Sequence, residues 1–297
     1  MTSEAPEEEA EDPFQGSRMT LGEHLDELRS RLLKGLAAVA LAFAVAWVFR
    51  SPITLFVEEP YLHAMEMLEV HYVQEAQRAV AEGAPKGEYC IDPDPLSDDW
   101  RLMGFSKRPE TIGAAEKFTV QLQICLYFAL FVGSPVLFWQ LWQFVAAGLY
   151  QRERRAIRAF FPLSMLLFVL GTSFGYLALV PYAVYFLNVG EIETGLPRVT
   201  LQAYLVFLRS LCLALGVVFQ LPLLMAFLGY AGIVLPGTMA RYRGHFAISA
   251  FVFAAILTPP DPITQSMLAI PMVFLYELGI LAARVLARRA RRAAVAT

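Results

Sequence analysis

Long apolar runs separated by short polar loops dominate the chain from Leu33 onward. Six stand out: Leu33–Phe49, Val120–Leu141, Leu163–Val180, Tyr204–Leu228, Phe246–Leu257 and Ile263–Ala283. Backbone polar groups in hydrocarbon must be bonded within their own segment, so these runs are expected to be membrane-spanning helices. A helix rising ~1.5 Å per residue needs roughly 20 apolar residues to cross a core of about 30 Å. The fifth run has about a dozen and reaches only about 18 Å by that measure. It ends at Thr258-Pro259-Pro260-Asp261-Pro262, a turn whose prolines cannot continue a helix. The fifth and sixth runs thus read as a short hairpin, shielded by neighbours or set in locally thinned bilayer.

Composition strengthens this picture. The chain is 57% hydrophobic and 17% charged, with a mean hydropathy of +0.50, outside the range of an ordinary soluble domain. The expected fold is all-α: a polytopic integral membrane protein of six transmembrane helices.

Loop charge sets the expected orientation. Arg29, Arg31 and Lys34 precede the first run, Arg152, Arg154, Arg155 and Arg158 lie between the second and third, and Arg241 and Arg243 between the fourth and fifth. Arg284, Arg288, Arg289, Arg291 and Arg292 follow the sixth. The loop Leu187–Ala203 carries only Arg198, and the final hairpin turn has no basic residue. By the positive-inside rule both termini are cytoplasmic, which needs an even number of spans and disfavours five. These arginines are explained by topology and anionic lipid, with no nucleic-acid partner expected.

Residues 1–18 read as an acidic, disordered cytoplasmic tail rather than a cleavable signal peptide, 19–287 as the membrane domain and 288–297 as a basic tail. One loop, between Arg50 and Lys117, is far longer than the rest. Within it, Leu62, Met65, Leu68, Val70, Val73 and Ala76 predict an amphipathic helix over Tyr61–Val80 lying on the membrane face. Gly83, Pro85, Gly87, Pro93 and Pro95 then predict irregular chain. Cys90, Cys125 and Cys212 are too scattered for a disulfide framework, and His63, His71 and Cys90 match no common zinc spacing, so no metal or cofactor is expected.

Three groups of residues are candidates for function. Before the first run, Thr20 and Glu23 form a capping-box pair, and Leu21, Leu25, Leu28 and Leu32 make an apolar stripe. The opposite face carries Glu23, Asp26, Glu27 and Arg31, readable as a solvated face with Glu27 paired to Arg31. In the loop Gln143–Arg155, Glu153 is a carboxylate among cations with Ala156 and Ile157 one turn ahead. It is either an anion at a helix N-terminus or an acceptor held for an external cation. Inside the spans, Gln220 and Glu277 are polar, and Arg209 sits where it can snorkel outward or pair with Glu58 or Glu59.

The run His24-Leu25-Asp26-Glu27-Leu28-Arg29-Ser30-Arg31-Leu32 resembles the start of the TatC family, core subunits of the twin-arginine protein translocase. The resemblance continues through Phe144 to Arg155, Gly216-Val217-Val218-Phe219-Gln220-Leu221-Pro222 and Leu257-Thr258-Pro259-Pro260-Asp261. It implies a receptor for twin-arginine signal peptides of folded cargo, not an enzyme, in the bacterial cytoplasmic membrane. It further implies single-span TatA- and TatB-type partners and homo-oligomers in the active complex. Carried over by motif, Glu27 and Glu153 engage the arginine pair, with His24, Arg29, Phe144, Leu149 and Tyr150 around them. Gln220, Thr258, Gln265 and Glu277 match polar positions that meet partner helices, and Pro259, Pro260 and Asp261 form the periplasmic turn. The family usually has proline where this chain has Ala147, some members carry Glu where it has Gln220, and against the family pattern the first periplasmic loop is enlarged by an insertion at about 61–106. The competing class is a secondary transporter, suggested by proline-bearing spans (Pro135, Pro222, Pro271) but opposed by dissimilar halves.

Overall fold

The computed structural model describes residues 21–83, 91–93, 100–102, 107–147, 151–189, 199–259 and 261–295. For 21, 23–24, 76, 79, 91–93, 100–102, 146–147, 151–159 and 289–295 the description is of the backbone alone. The tail 1–18, Thr20, Cys90, Gly148, Leu149, Tyr150, Arg198 and Pro260 lie outside the described residues.

The first run belongs to α1 (Leu21–Val48), which turns at Phe49 into α2 (Arg50–Ala81). After a short antiparallel ladder of β1 (Ile91–Pro93) and β2 (Trp100–Leu102) comes α3 (Ala114–Ala147). Among the described residues this ladder and an isolated parallel bridge between Glu110 and Thr200 depart from an all-α reading: extended chain around Pro93, expected to be irregular, pairs with the Trp100 strand. The third run is α4 (Gln151–Phe174) continued through a π turn, Gly175–Leu179, into α5 (Val180–Asn188). The fourth is split into α6 (Leu201–Val218) and α7 (Leu221–Tyr230). Short α8 (Pro236–Arg241), α9 (Arg243–Leu257) and the long α10 (Pro262–Val295) complete the bundle. Among the described residues, five helical stretches are long and apolar enough to cross a membrane: Leu25–Val48, Ala114–Val145, Phe160–Asn188, Leu201–Tyr230 and Pro262–Arg288. Helix α9 has 15 residues and reaches about 22 Å.

Large apolar side chains such as Leu41, Val45, Leu177, Val217, Ile256 and Phe274 are exposed on the outside of this bundle. On a soluble protein such a surface would be an association site; here it is the lipid face. With lipid on one side as apolar as the core on the other, the helices are held by close packing at small residues. Gly171 of α4 meets Leu215 and Phe219, Gly175 of the π turn meets Leu215 and Cys212 of α6, and Gly216 of α6 meets Phe168 and Thr172 of α4. A Cβ at Gly171 would stand 2.6 Å from the Leu215 carbonyl oxygen. Gly35 and Gly133 serve α1 and α3 in the same way, and Gly279 lets α10 pack on Met225 of α7.

The fourth run begins three residues before the expected Tyr204 because the Thr200 hydroxyl caps it, accepting from Ala203 N at 3.2 Å. It breaks at Phe219–Gln220 because Pro222 has no N–H to continue the ladder. Gln220 N bonds Val217 O at 2.9 Å instead of Gly216 O, and the Gln220 side chain takes up that carbonyl at 3.4 Å. At the α9–α10 turn, Asp261 accepts from Thr264 N at 2.8 Å with Pro262 at the first helical position, so the turn is also a helix start.

Helix α2 differs from expectation in extent and in facing. It runs from Arg50, and its buried stripe is Tyr61, Ala64, Met65, Leu68 and Tyr72, whereas Val70 is exposed. The stripe packs on α5 and α6 rather than on lipid, because tyrosine hydroxyls anchor it to backbone carbonyls. Tyr72 donates to Asn188 O at 2.5 Å, and Tyr204 donates to Val57 O at 2.8 Å. Tyr176 donates to Phe56 O, the carbonyl whose helical partner would be the N–H that Pro60 lacks. Glu58 is half-buried on this helix; burial pushes its carboxyl above the ordinary value, with Arg108 pulling it partly back.

Candidate functional site

The proposed site residues begin at one end of the bundle, where α1 starts, α3 ends and α4 starts. Helix α1 carries Glu27, Leu28 and Arg31 on neighbouring turns because residues three and four apart share a face. Arg31 Nη2 donates to Glu27 Oε1 at 3.0 Å, and Arg31 Nη1 donates to Gln140 Oε1 of α3 at 3.4 Å. The side chains of Glu27 and Arg31 remain 21% and 27% exposed, so the pair sits at a surface and not in a sealed core. Among the described residues, Glu27 Oε2 has no partner. Arg29 points outward and is exposed.

Beneath the pair lies a 360 Å³ cavity between α1, α3, α4 and α6. Leu28, Arg31, Gln140 and Phe144 line it at the pair, and Leu137 and Val217 lie deeper. Its wall is almost wholly apolar, so the one ion pair is the polar rim of a greasy trough. A helical i,i+4 pair that solvent still reaches is worth about 0.3–0.5 kcal/mol, so opening it costs little. A guanidinium fork bonded to a carboxylate gains roughly 1.5–3 kcal/mol per charge-assisted bond. Glu27 is therefore a carboxylate whose internal partner is cheaply displaced.

The structure brings Glu27, Arg31 and Phe144 together, and puts the backbone of His24 and Glu153 at the same end. The side chains of His24 and Glu153 fall outside the description, as do Leu149 and Tyr150 altogether. Gln140 was not singled out from sequence. Its signal was position alone: a polar residue one helical turn before Phe144 in an aromatic-rich segment that also carries Gln143.

The intramembrane polar residues singled out from sequence are each engaged within the chain. Gln220 Oε1 accepts from the buried Ser164 hydroxyl at 2.7 Å and Gln220 Nε2 donates to Ser164 O at 3.1 Å, clasping α4 to the α6–α7 break. Thr258 Oγ1 donates to Ala254 O at 3.0 Å, and Gln265 Nε2 donates to Phe251 O at 3.0 Å across the α9–α10 turn. Glu277 of α10 lies 3.5 Å from Arg243 at the start of α9. Arg209 is not paired with Glu58 or Glu59, as sequence suggested. Arg209 Nη1 donates to Tyr127 Oη, and the guanidinium carbon stands 5.1 Å from that ring's centroid. The reason is direction: Arg209 points across to α3, while Glu58 faces Arg108.

Comparison with known proteins places this arrangement. A family model described as Sec-independent protein translocase protein (TatC) matches residues 23–271. The TatC protein of Desulforapulum autotrophicum is 31% identical over 267 residues, covering 90% of this chain and 85% of its own. TatCy of Bacillus subtilis is 31% identical over 285 residues, covering 94% of each. A crystal structure of a twin arginine translocase receptor, TatC, superposes with a TM-score of 0.64 at 27% identity, covering 89% of this chain and 99% of that one. A second, in the detergent DDM, gives 0.66 at 28% identity, covering 88% and 99%.

Proposed function

The chain belongs to the TatC family of Sec-independent protein translocase proteins, and on that premise we propose that it is the receptor for twin-arginine signal peptides of folded cargo. As a family member it is a component of a protein translocase, a membrane protein whose role is transport rather than catalysis. In the proposed arrangement α9 completes six crossings, and the arginine-rich loops set both termini in the cytoplasm of a bacterial inner membrane. The Glu27 end then faces the compartment in which cargo folds.

Glu27 and Glu153 receive the two arginines of the signal, with Arg29, His24, Phe144, Leu149 and Tyr150 shaping the surroundings. One observation supports this reading above the others: a surface carboxylate at the rim of an apolar cavity, bound by a single weak internal pair and with one oxygen open. Lys cannot reproduce the planar fork that both carboxylate oxygens would accept, which accounts for a demand for arginine. Single-span TatA- and TatB-type partners, and further copies of this chain, meet the α9–α10 hairpin near Thr258 and Gln265. There the peptide-facing and partner-facing surfaces stay separate. Because Gln220 clasps Ser164, its contribution to partner docking is through the shape of the α6–α7 break.

The test is binding of an Arg-Arg signal peptide to the purified chain in detergent. Glu27→Gln and Glu153→Gln should each weaken it by about tenfold or more, about 1.4 kcal/mol, and should leave a Lys-Lys peptide's weak binding unchanged. Wild-type affinity in both variants would remove the assignment.

A further inference from the structure

A second cavity, of 210 Å³, lies toward the opposite end of the bundle, between α2, α3, α4 and α6. Arg209, Tyr127 and Thr172 line it together with apolar side chains, Phe56 and Phe131 among them. Arg209 follows Leu201 by about two helical turns, ~12 Å along α6, inside a stretch apolar enough to span a membrane. A guanidinium at such depth is costly unless it is paired or reaches a headgroup.

Among the described residues no carboxylate lies within ion-pair distance of Arg209, whose polar contact is the Tyr127 hydroxyl. A guanidinium carries five N–H donors, so most of its donor capacity is unspent. Tyr127 accepts from Arg209 and keeps its own proton to give. The Thr172 hydroxyl in the same wall is buried without a hydrogen-bond partner. The cavity is rich in donors and offers no anion, so it fits an acceptor-rich, negatively charged ligand.

The surroundings say which anion. Leu213 lines both this cavity and the 360 Å³ cavity, so the two lie end to end in the trough between α3 and α6. From Arg209 that trough continues inward past Leu213 over Leu130, Leu137 and Val217, toward the Glu27 end of the bundle. A charged head at the arginine with an apolar tail leading inward is the layout of a phospholipid of that leaflet. We infer that the Arg209–Tyr127 cavity binds the anionic phosphodiester of a membrane phospholipid, its acyl chain lying in the α3–α6 trough. A free phosphate would use the cation and leave the trough empty.

The experiment titrates phosphatidylglycerol against the full chain, purified in detergent, and counts bound lipid by native mass spectrometry. Wild type should hold one lipid about tenfold more tightly than Arg209→Met. Arg209→Lys and Tyr127→Phe should fall between, and millimolar inorganic phosphate should not displace the lipid. Equal retention by wild type and Arg209→Met overturns the inference, as does full displacement by inorganic phosphate. If Arg209→Met does not fold, unchanged retention in both Arg209→Lys and Tyr127→Phe overturns it. A lipid-free cavity crosslinked through a carboxylate to another protein's helix overturns it also, assigning the site to a partner.

Discussion

Pro60 and Tyr176 make a linked pair that a double-mutant cycle can read. Proline in α2 leaves the Phe56 carbonyl without its N–H, and the Tyr176 hydroxyl fills the gap from another helix. Tyr176→Phe keeps the ring, which stacks on Phe56 at 4.7 Å with planes 13° apart, and removes only the donor. A neutral hydrogen bond contributes about 0.5–1.5 kcal/mol, and a stranded buried acceptor costs more. Phe56 is 54% exposed, so the lower range applies and the loss should be about 1 kcal/mol. In a Pro60→Ala background residue 60 supplies its own N–H, and Tyr176→Phe should then cost almost nothing. The coupling between the two changes should therefore be about 1 kcal/mol. Four chains unfolded reversibly in mixed micelles give this number from their midpoints at constant denaturant slope. A coupling below about 0.3 kcal/mol, within ordinary additivity, would refute the idea that the tyrosine stands in for the missing amide.

Other substitutions probe other joints. Gly171→Ala puts a methyl 2.6 Å from the Leu215 carbonyl oxygen and 2.7 Å from the Phe219 ring, so α4 and α6 must part. Stability should fall by about 1–3 kcal/mol in the same unfolding assay. Gln220→Leu releases both Ser164 bonds and the Gly216 carbonyl and should cost about 1–2 kcal/mol, with faster amide exchange around the α6–α7 break as its signature. Glu58 keeps its proton to higher pH in the folded chain than its ordinary 4.5, since burial outweighs the pull of Arg108. As pH rises above 4.5 the unfolded state ionises first, so Glu58 makes stability fall with pH until the folded carboxyl has also ionised. Glu58→Gln should flatten that part of the pH–stability curve.

Hydropathy and loop arginines made the membrane bundle legible, because lipid forces long apolar helices and charge bias follows topology. They did not reveal the break at Phe219–Gln220, where apolar residues continue on both sides; only Pro222 marked it. The facing of α2 was misread for a related reason. Its buried positions are filled by Tyr61, Ala64 and Tyr72, residues of middling hydropathy, while the more apolar Val70 looks outward. Glu27 and Arg31 were readable as an i,i+4 pair, yet Gln140 was not, because its partner is 109 residues away. Arg209 was visible as an anomaly, but its direction toward Tyr127 depends on how α3 and α6 are rotated against each other.

The π turn at Gly175–Leu179 holds one residue more than an α-helical turn would use. Removing that residue would swivel everything beyond it by about 100°. Gly171 would still nest against α6, but Asn188 would swing away from Tyr72. The extra residue thus acts as a phase shifter: one continuous rod shows its glycines to one neighbour and, a few turns later, its asparagine to another. A single-codon deletion there should spare the rod and undock the long surface helix.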